Sequence, residues 1–336
     1  MTSKYLIHGT YGCVVIPGYD CQNNLLNDDT VTKLFADKDG YELEYKIQET
    51  IKRLDNESRF TIKMIDKCEL TNKDILSTIT DFYKCPLITS ETINVYQITY
   101  EYGGKELPDL FISTETFNSI KILKQFVNMF EGLCILDENN IIHQDVKQNN
   151  ILYDEKKQKF NLIDFGLYTT KDKVYENLIH NINYVKYIYY PPEYSFFYYK
   201  YYNIPIETIS TKLYIINVEK DIDFLLKVKP IALKYKIAIL KVYNSLNKSN
   251  NELKAIYDKF SINQPFVYKI DVYMLGLTLF DFMINIFCNL NSQDKINIIP
   301  VKIFDLIIKM TEIDPYKRIT IQEATQIYKS LFSHIK

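Results

Sequence analysis

The chain of 336 residues has no tryptophan, and only nine glycines, four histidines and six cysteines. Each scarcity excludes something. The cysteines (Cys13, Cys21, Cys68, Cys85, Cys134, Cys288) form no C-x-x-C pair, and with so few histidines a zinc site is not expected. Thiols scattered in this way suit a reducing compartment. Neither sign of charge dominates: 40 Lys and Arg stand against 42 Asp and Glu, a net charge of −2. The strongly basic balance of a general nucleic-acid binder is therefore missing, and no direct nucleic-acid partner is predicted. The opening MTSKYLIHGTYGCVV holds no apolar run long enough for a secretory signal. The most membrane-like stretch, VYMLGLTLFDFMINIFCNL from Val272, is interrupted by Asp281 and flanked by Lys269 and Asp271. It reads as a buried core helix, and no membrane span is predicted.

What remains is an ordinary globular composition, 47% hydrophobic and 24% charged. The 29 tyrosines, with abundant Asn, Ile and Lys, fit an AT-rich coding genome better than a special role for tyrosine. Residues 4–101 read mainly as short strands with one helix. KYLIHGTYGCVVIPGY reads as two strands around a turn, DTVTKLF as a β-branched strand carrying Lys33, and TINVYQITYEY as another strand. DGYELEYKIQETIKRLDN reads as a helix with Leu43, Ile47, Ile51 and Leu54 at near-helical spacing. After Gly103-Gly104 the pattern turns helical, beginning with an apolar stripe of Phe117, Ile120, Leu123, Phe126, Val127 and Phe130. A β-rich front and an α-rich back predict two lobes, 1–102 and 103–336, in an α+β fold.

Because glycine is scarce, Gly9 and Gly12 in IHGTYGCVV stand out. A glycine turn between strands lets backbone N–H groups approach a phosphate, although hairpin glycines are common on structural grounds alone. Lys33 on an otherwise apolar strand is costly to bury without an anionic partner, unless it snorkels to water. On the next helix, Glu44 shares a face with Ile47 and Ile51 and is the partner expected, with Glu42 and Glu49 facing solvent. The stretch IIHQDVKQNNILYDEKKQKFNLIDFG then places Asp145, Lys147 and Asn150 in a loop after one apolar strand and Asp164 at the end of another. Two separated carboxylates, an amide and a lysine suit phosphoryl transfer from a metal–nucleotide complex. Asp164 and the Asn150 amide oxygen would hold hard cations. Asp145 would receive the proton of the acceptor hydroxyl, and Lys147 would neutralise the moving phosphoryl group.

These residues resemble the signature set of eukaryotic-type protein kinases of the Ser/Thr type. HQDVKQNNIL resembles the catalytic loop, DFG matches letter for letter, and TVTK resembles the strand presenting the ATP lysine. ITYEYGG looks like the hinge between lobes, with Tyr100 as gatekeeper and backbone groups of Glu101 and Tyr102 meeting adenine. PPE (Pro191 to Glu193), DVYMLG and DPYKRIT follow in order, and in the family Arg318 would pair with Glu193. The resemblance implies a bilobal protein-kinase-like fold, with a small β-rich N-lobe holding one helix and a larger α-helical C-lobe. It implies ATP with Mg²⁺ or Mn²⁺ as cofactors and a protein substrate phosphorylated on Ser or Thr. Nucleotide contacts would fall on Gly9, Gly12, Val14, Lys33, Glu44, Glu101 and Tyr102, metal contacts on Asn150 and Asp164, and catalysis on Asp145 and Lys147. The compact, AT-rich chain also resembles kinases of large cytoplasmic DNA viruses, which would place it in the host cytoplasm or the virion.

The sequence departs from the family at four places. Ile7 replaces one loop glycine. Gln144 replaces the arginine that in many kinases grips an activation-loop phosphate, so the 167–190 segment is expected to work without phosphorylation. The usual threonine before PPE is missing from NYVKYIYY. A helical insertion, about 198–265, lies between Glu193 and Asp271, either as a protein partner's site or as extra packing. Two other readings stay open: a pseudokinase acting as a scaffold, and a small-molecule phosphotransferase, against which Lys147, Glu193 and Arg318 count.

Overall fold

The computed structural model describes residues 5–8, 12–71, 85–89, 91–111, 119–180, 189–204, 212–262, 266–289 and 298–334. Gly9 and Phe117 lie outside them, as do residues 181–188 of the segment before PPE. The chain divides into two compact units, Met1–Gly104 and Lys105–Lys336.

In the first unit, β1 (Tyr5–His8), β2 (Cys13–Ile16), β3 (Thr30–Phe35), β4 (Met64–Thr71) and β5 (Asn94–Glu101) form one five-stranded antiparallel sheet in the order β1-β2-β3-β5-β4. Alternation along β3 sends successive side chains to opposite faces. Leu34 joins Cys13, Val15, Tyr19, Leu70 and Val95 on one side. Phe35 joins Tyr96, Ile98 and Tyr100 on the other, against Tyr41 and Tyr45 of helix α1 (Lys38–Leu54). The Asp37 side chain caps α1 by accepting from the Gly40 N–H at 2.8 Å. Ile47 and Ile51 are the buried residues of this helix, whereas Leu43 is 55% exposed. The inward face therefore runs through Glu44, Ile47 and Ile51 and leaves out the expected Leu43. At Gly12 an added Cβ would come within 2.6 Å of the Leu34 carbonyl oxygen, so glycine lets β2 approach β3.

The cysteines depart from expectation. The structure joins Cys13 to Cys85 and Cys21 to Cys68, leaving Cys134 and Cys288 as free thiols. Wide spacing suggests free thiols only while the sheet is unknown; pairing brings residues 72 and 47 positions apart into contact. Alkylation without reduction is expected to label two cysteines, and all six after reduction. A reductant should also lower the unfolding temperature, since a crosslink of this kind typically contributes about 2–4 kcal/mol. Six labelled thiols in unreduced protein would contradict the pairing.

The second unit opens with β6 (Lys105–Glu106), followed by α2 (Ser119–Gln125) and α3 (Val127–Glu138), which break at Phe126. Then come β7 (Ile141–Ile142), β8 (Ile151–Asp154), β9 (Lys159–Leu162) and β10 (Thr169–Thr170). β6, β8 and β9 form one small sheet, and β7 pairs with β10. Helices α4 (Val174–His180), α5 (Pro192–Tyr201), α6 (Lys212–Lys227), α7 (Leu233–Leu246), α8 (Asn250–Lys259), α9 (Ile270–Asn289), α10 (Lys302–Met310) and α11 (Ile321–Phe332) complete the unit. The membrane-like run is α9, a core helix buried along nearly its whole length. Its one acidic interruption, Asp281, accepts from the Tyr189 hydroxyl at 2.8 Å. At Gly276 an added Cβ would meet Met310 Cβ at 2.8 Å, so glycine sets the close approach of α9 to α10.

The stretch expected to be an insertion contains α6, α7 and α8, and it is packed into the unit. Tyr235, Ile239 and Val242 are fully buried, and the Tyr235 hydroxyl donates to the Ile299 carbonyl at 2.8 Å.

Candidate active site

Lys33 sits on the face of β3 turned towards α1, opposite Val14 on β2 and Ile98 on β5. Its ammonium forms an ion pair with Glu44 Oε2. The other oxygen, Oε1, accepts from the Tyr100 hydroxyl at 2.9 Å. Burial holds that phenol well above the usual tyrosine range, with the Glu44 charge adding to the effect, so Tyr100 stays a hydrogen-bond donor. The bond from Tyr100 has no sequence signal of its own, because the partners lie 56 positions apart.

At the end of β5, two backbone donors are engaged. The Glu101 N–H donates to the Lys63 carbonyl at 2.9 Å and the Tyr102 N–H to the Asp29 carbonyl at 2.8 Å. Both amides are thus engaged within the fold, by carbonyls distant in the sequence.

In the second unit, the loop after β7 gathers its polar groups round Asp145, which is 5% exposed. Asp145 Oδ2 accepts from Lys147 Nζ at 2.8 Å and from Asn150 Nδ2 at 2.8 Å. The same Asn150 nitrogen donates to the Asp145 carbonyl at 2.8 Å, which turns the amide oxygen away from Asp145. The Asn150 carbonyl accepts from the Ile163 N–H at 2.9 Å, tying the loop to the residue before Asp164. Asp164 is exposed and has left-handed backbone, φ 59° and ψ 67°; a non-glycine residue held there is costly and such residues cluster at functional sites. Two oxygen donors, with no cluster of three acidic, histidine or cysteine side chains among the described residues, fit an ion such as Mg²⁺, which keeps waters and substrate phosphates in its shell.

His143 is fully buried, and its ring is held by the Asp145 N–H, which donates to Nδ1 at 3.2 Å. Nε2 therefore carries the proton and donates to the Ile163 carbonyl at 3.1 Å. Burial lowers its pKa, so this histidine is a neutral strut.

Asp271, at the start of α9, accepts from the N–H of His143 at 2.7 Å and of Gln144 at 3.0 Å. Burial pushes its carboxyl from 3.8 up to about 6, against those two bonds, which lower it. The folded protein holds this proton more tightly than the unfolded chain. The linked stability is full below about pH 4 and is lost as pH rises through about 6, a span of about 3 kcal/mol. Asp271→Asn should flatten that part of the profile, as read from urea unfolding of both proteins between about pH 4.5 and 7. A parallel pH dependence in the two would contradict the assignment.

Glu193, in the first turn of α5, meets Arg318: Nη2 donates to Oε2 at 2.8 Å and Nη1 to Oε1, with both side chains fully buried.

Comparison with known proteins adds to this geometry. Calcium-dependent protein kinase 4 of Plasmodium falciparum is 34% identical over 77 residues, 22% of this chain and 15% of that protein. A probable serine/threonine-protein kinase of Dictyostelium discoideum is 26% identical over 200 residues, 53% of this chain and 28% of the relative. A probable serine/threonine-protein kinase of fowlpox virus is 25% identical over 172 residues, 44% of this chain and 57% of the relative. The chain thus spans between 15% and 57% of the length of these relatives. The protein kinase domain profile matches residues 9–329, and with that match along nearly the whole sequence the chain belongs to the protein kinase domain family.

Proposed function

We propose that the chain is an active ATP-dependent kinase that transfers the γ-phosphoryl group to serine or threonine hydroxyls of protein substrates. The observation that carries this reading is the Asp145 carboxylate, buried yet held by Lys147 and Asn150 on one oxygen. A positioned carboxylate of this kind can orient a hydroxyl and take its proton as the phosphoryl group arrives. Lys147 offsets negative charge gathering on the transferring group. Asp164 and the Asn150 amide oxygen would hold Mg²⁺, which supplies charge neutralisation on the phosphates when bound. Lys33, fixed by Glu44, would reach phosphate oxygens, and Gly9, Gly12 and Val14 would line the nucleotide from the strand side. Backbone groups of Glu101 and Tyr102 would meet the base. Lys147, two residues after the base, and the two probable Ser/Thr kinases among the relatives support Ser/Thr over Tyr. A virion or the host cytoplasm is the proposed location, and the Cys13–Cys85 and Cys21–Cys68 disulfides favour the virion over the reducing cytosol.

One observation favours a second reading, a nucleotide-independent scaffold: both hinge N–H donors are already engaged. Labelled ATP supplied with a protein mixture, sugars and amines separates the readings. Label on phosphoserine and phosphothreonine supports the proposal. Label only on small molecules, or none alongside no thermal shift with Mg·ATP, would sink it.

A further inference from the structure

Gln144 is fully buried, and its backbone is left-handed, with φ 65°. Both ends of its amide are used. Nε2 donates to the Leu167 carbonyl at 2.9 Å, and Oε1 accepts from the Tyr194 hydroxyl at 2.8 Å. Leu167 closes the short turn that follows Asp164, and Tyr194 stands in the first turn of α5. One side chain therefore joins the catalytic loop to the start of the segment after DFG and to the helix carrying Glu193.

The surroundings offer a phosphate little. Lys171, a cation on that same segment, is 7% exposed and pairs with Asp137 Oδ1 at 2.6 Å, donates to the Asp137 carbonyl at 2.7 Å and lies over the Tyr268 ring at 4.3 Å. Thr169 is 7% exposed, is paired with Ile142 across β10 and β7, and accepts from Asn177 Nδ2 at 3.2 Å. The Tyr175 ring packs on Phe197 and Phe266. A phosphate added to Thr169 would enter a buried site beside the neutral Asn177 amide, which is unfavourable.

We propose that Gln144 is a positioning residue, an uncharged clip that, with the Tyr194 hydroxyl, fixes residues 167–180 against the catalytic loop in the arrangement used for transfer, without phosphorylation of that segment. This rests on the kinase reading above. An arginine at 144 would bring a buried charge that needs an anion; an amide closes on a carbonyl and a hydroxyl and needs none.

Gln144→Met keeps side-chain length and loses both bonds; Tyr194→Phe loses one and serves if the first variant does not fold. Hydrogen exchange reads the clip without catalysis. Amides of β10 and of the turn at Phe165–Leu167 should exchange at least about tenfold faster in Gln144→Met, with α9 and α11 unchanged. Phosphatase-treated wild type should keep its protection there. In turnover, Gln144→Met should lose about tenfold or more in kcat with KM for ATP within about twofold, Tyr194→Phe should fall between, and phosphatase treatment should leave the wild-type rate intact. Unchanged exchange in Gln144→Met overturns the clip. Loss of rate or protection on phosphatase treatment overturns the independence from phosphate. A wild type that transfers nothing removes the kinase reading instead, and the exchange measurements still decide the clip.

Discussion

Asp145→Asn is expected to lower phosphoryl transfer by roughly 10²- to 10⁴-fold, the usual worth of a positioned acid–base group, while nucleotide affinity stays within about twofold. One oxygen of the carboxylate already accepts from both Lys147 and Asn150, so an amide of the same shape can keep its oxygen on those two donors but cannot take a proton. Asp164→Asn should reduce transfer comparably and behave differently in binding. Its carboxylate is exposed and fits a metal ligand, so the variant should lose the part of nucleotide affinity that depends on Mg²⁺. Single-turnover rates and nucleotide titrations with and without Mg²⁺ check both. Equal loss of binding in the two variants, or full activity in either, removes the corresponding role.

Arg318→Met is expected to destabilise the second unit by about 3–5 kcal/mol, because it leaves the Glu193 carboxylate buried without its partner. Arg318 does more than pair with Glu193. Nε donates to the Glu312 carbonyl at 2.9 Å, Nη1 donates to the Lys269 carbonyl at 3.0 Å, and the guanidinium lies over the Tyr273 ring at 4.7 Å. The cost should thus fall on three segments at once. Glu193→Met should be similarly harmful, since it strands the guanidinium, and the double replacement should cost less than the sum of the two. Urea unfolding of the four proteins gives the coupling directly. Additive losses would show that the pair acts only as two separate contacts.

How far the sequence carried depended on how local the signal was. β3 shows itself through β-branched residues, and Glu44 through its place beside Ile47 and Ile51, so both partners of the ion pair could be named. Leu43 could not be separated from that apolar set without knowing which face meets the sheet. β4, Met64 to Thr71, left no pattern because it is the outer strand of the sheet and most of its side chains face water. The cysteine pairs and the committed amides of Glu101 and Tyr102 arise from strand order and turn geometry, which spacing does not encode. At position 144 the sequence showed a missing charge, and only the fold showed that Leu167 and Tyr194 take up the amide. The stretch expected to be an insertion stood out by its length; that Tyr235 and Ile239 belong to the core required α7 to be seen against α9 and α10.

The account rests on turnover. Purified protein with Mg²⁺ and ATP labelled at the γ position, sampled over time with a mixed protein acceptor and with Asp145→Asn alongside, is the most direct test. The account predicts label accumulating on serine and threonine with wild type and almost none with the variant. Label accumulating equally with both proteins, or with neither while Mg·ATP still binds, would contradict it.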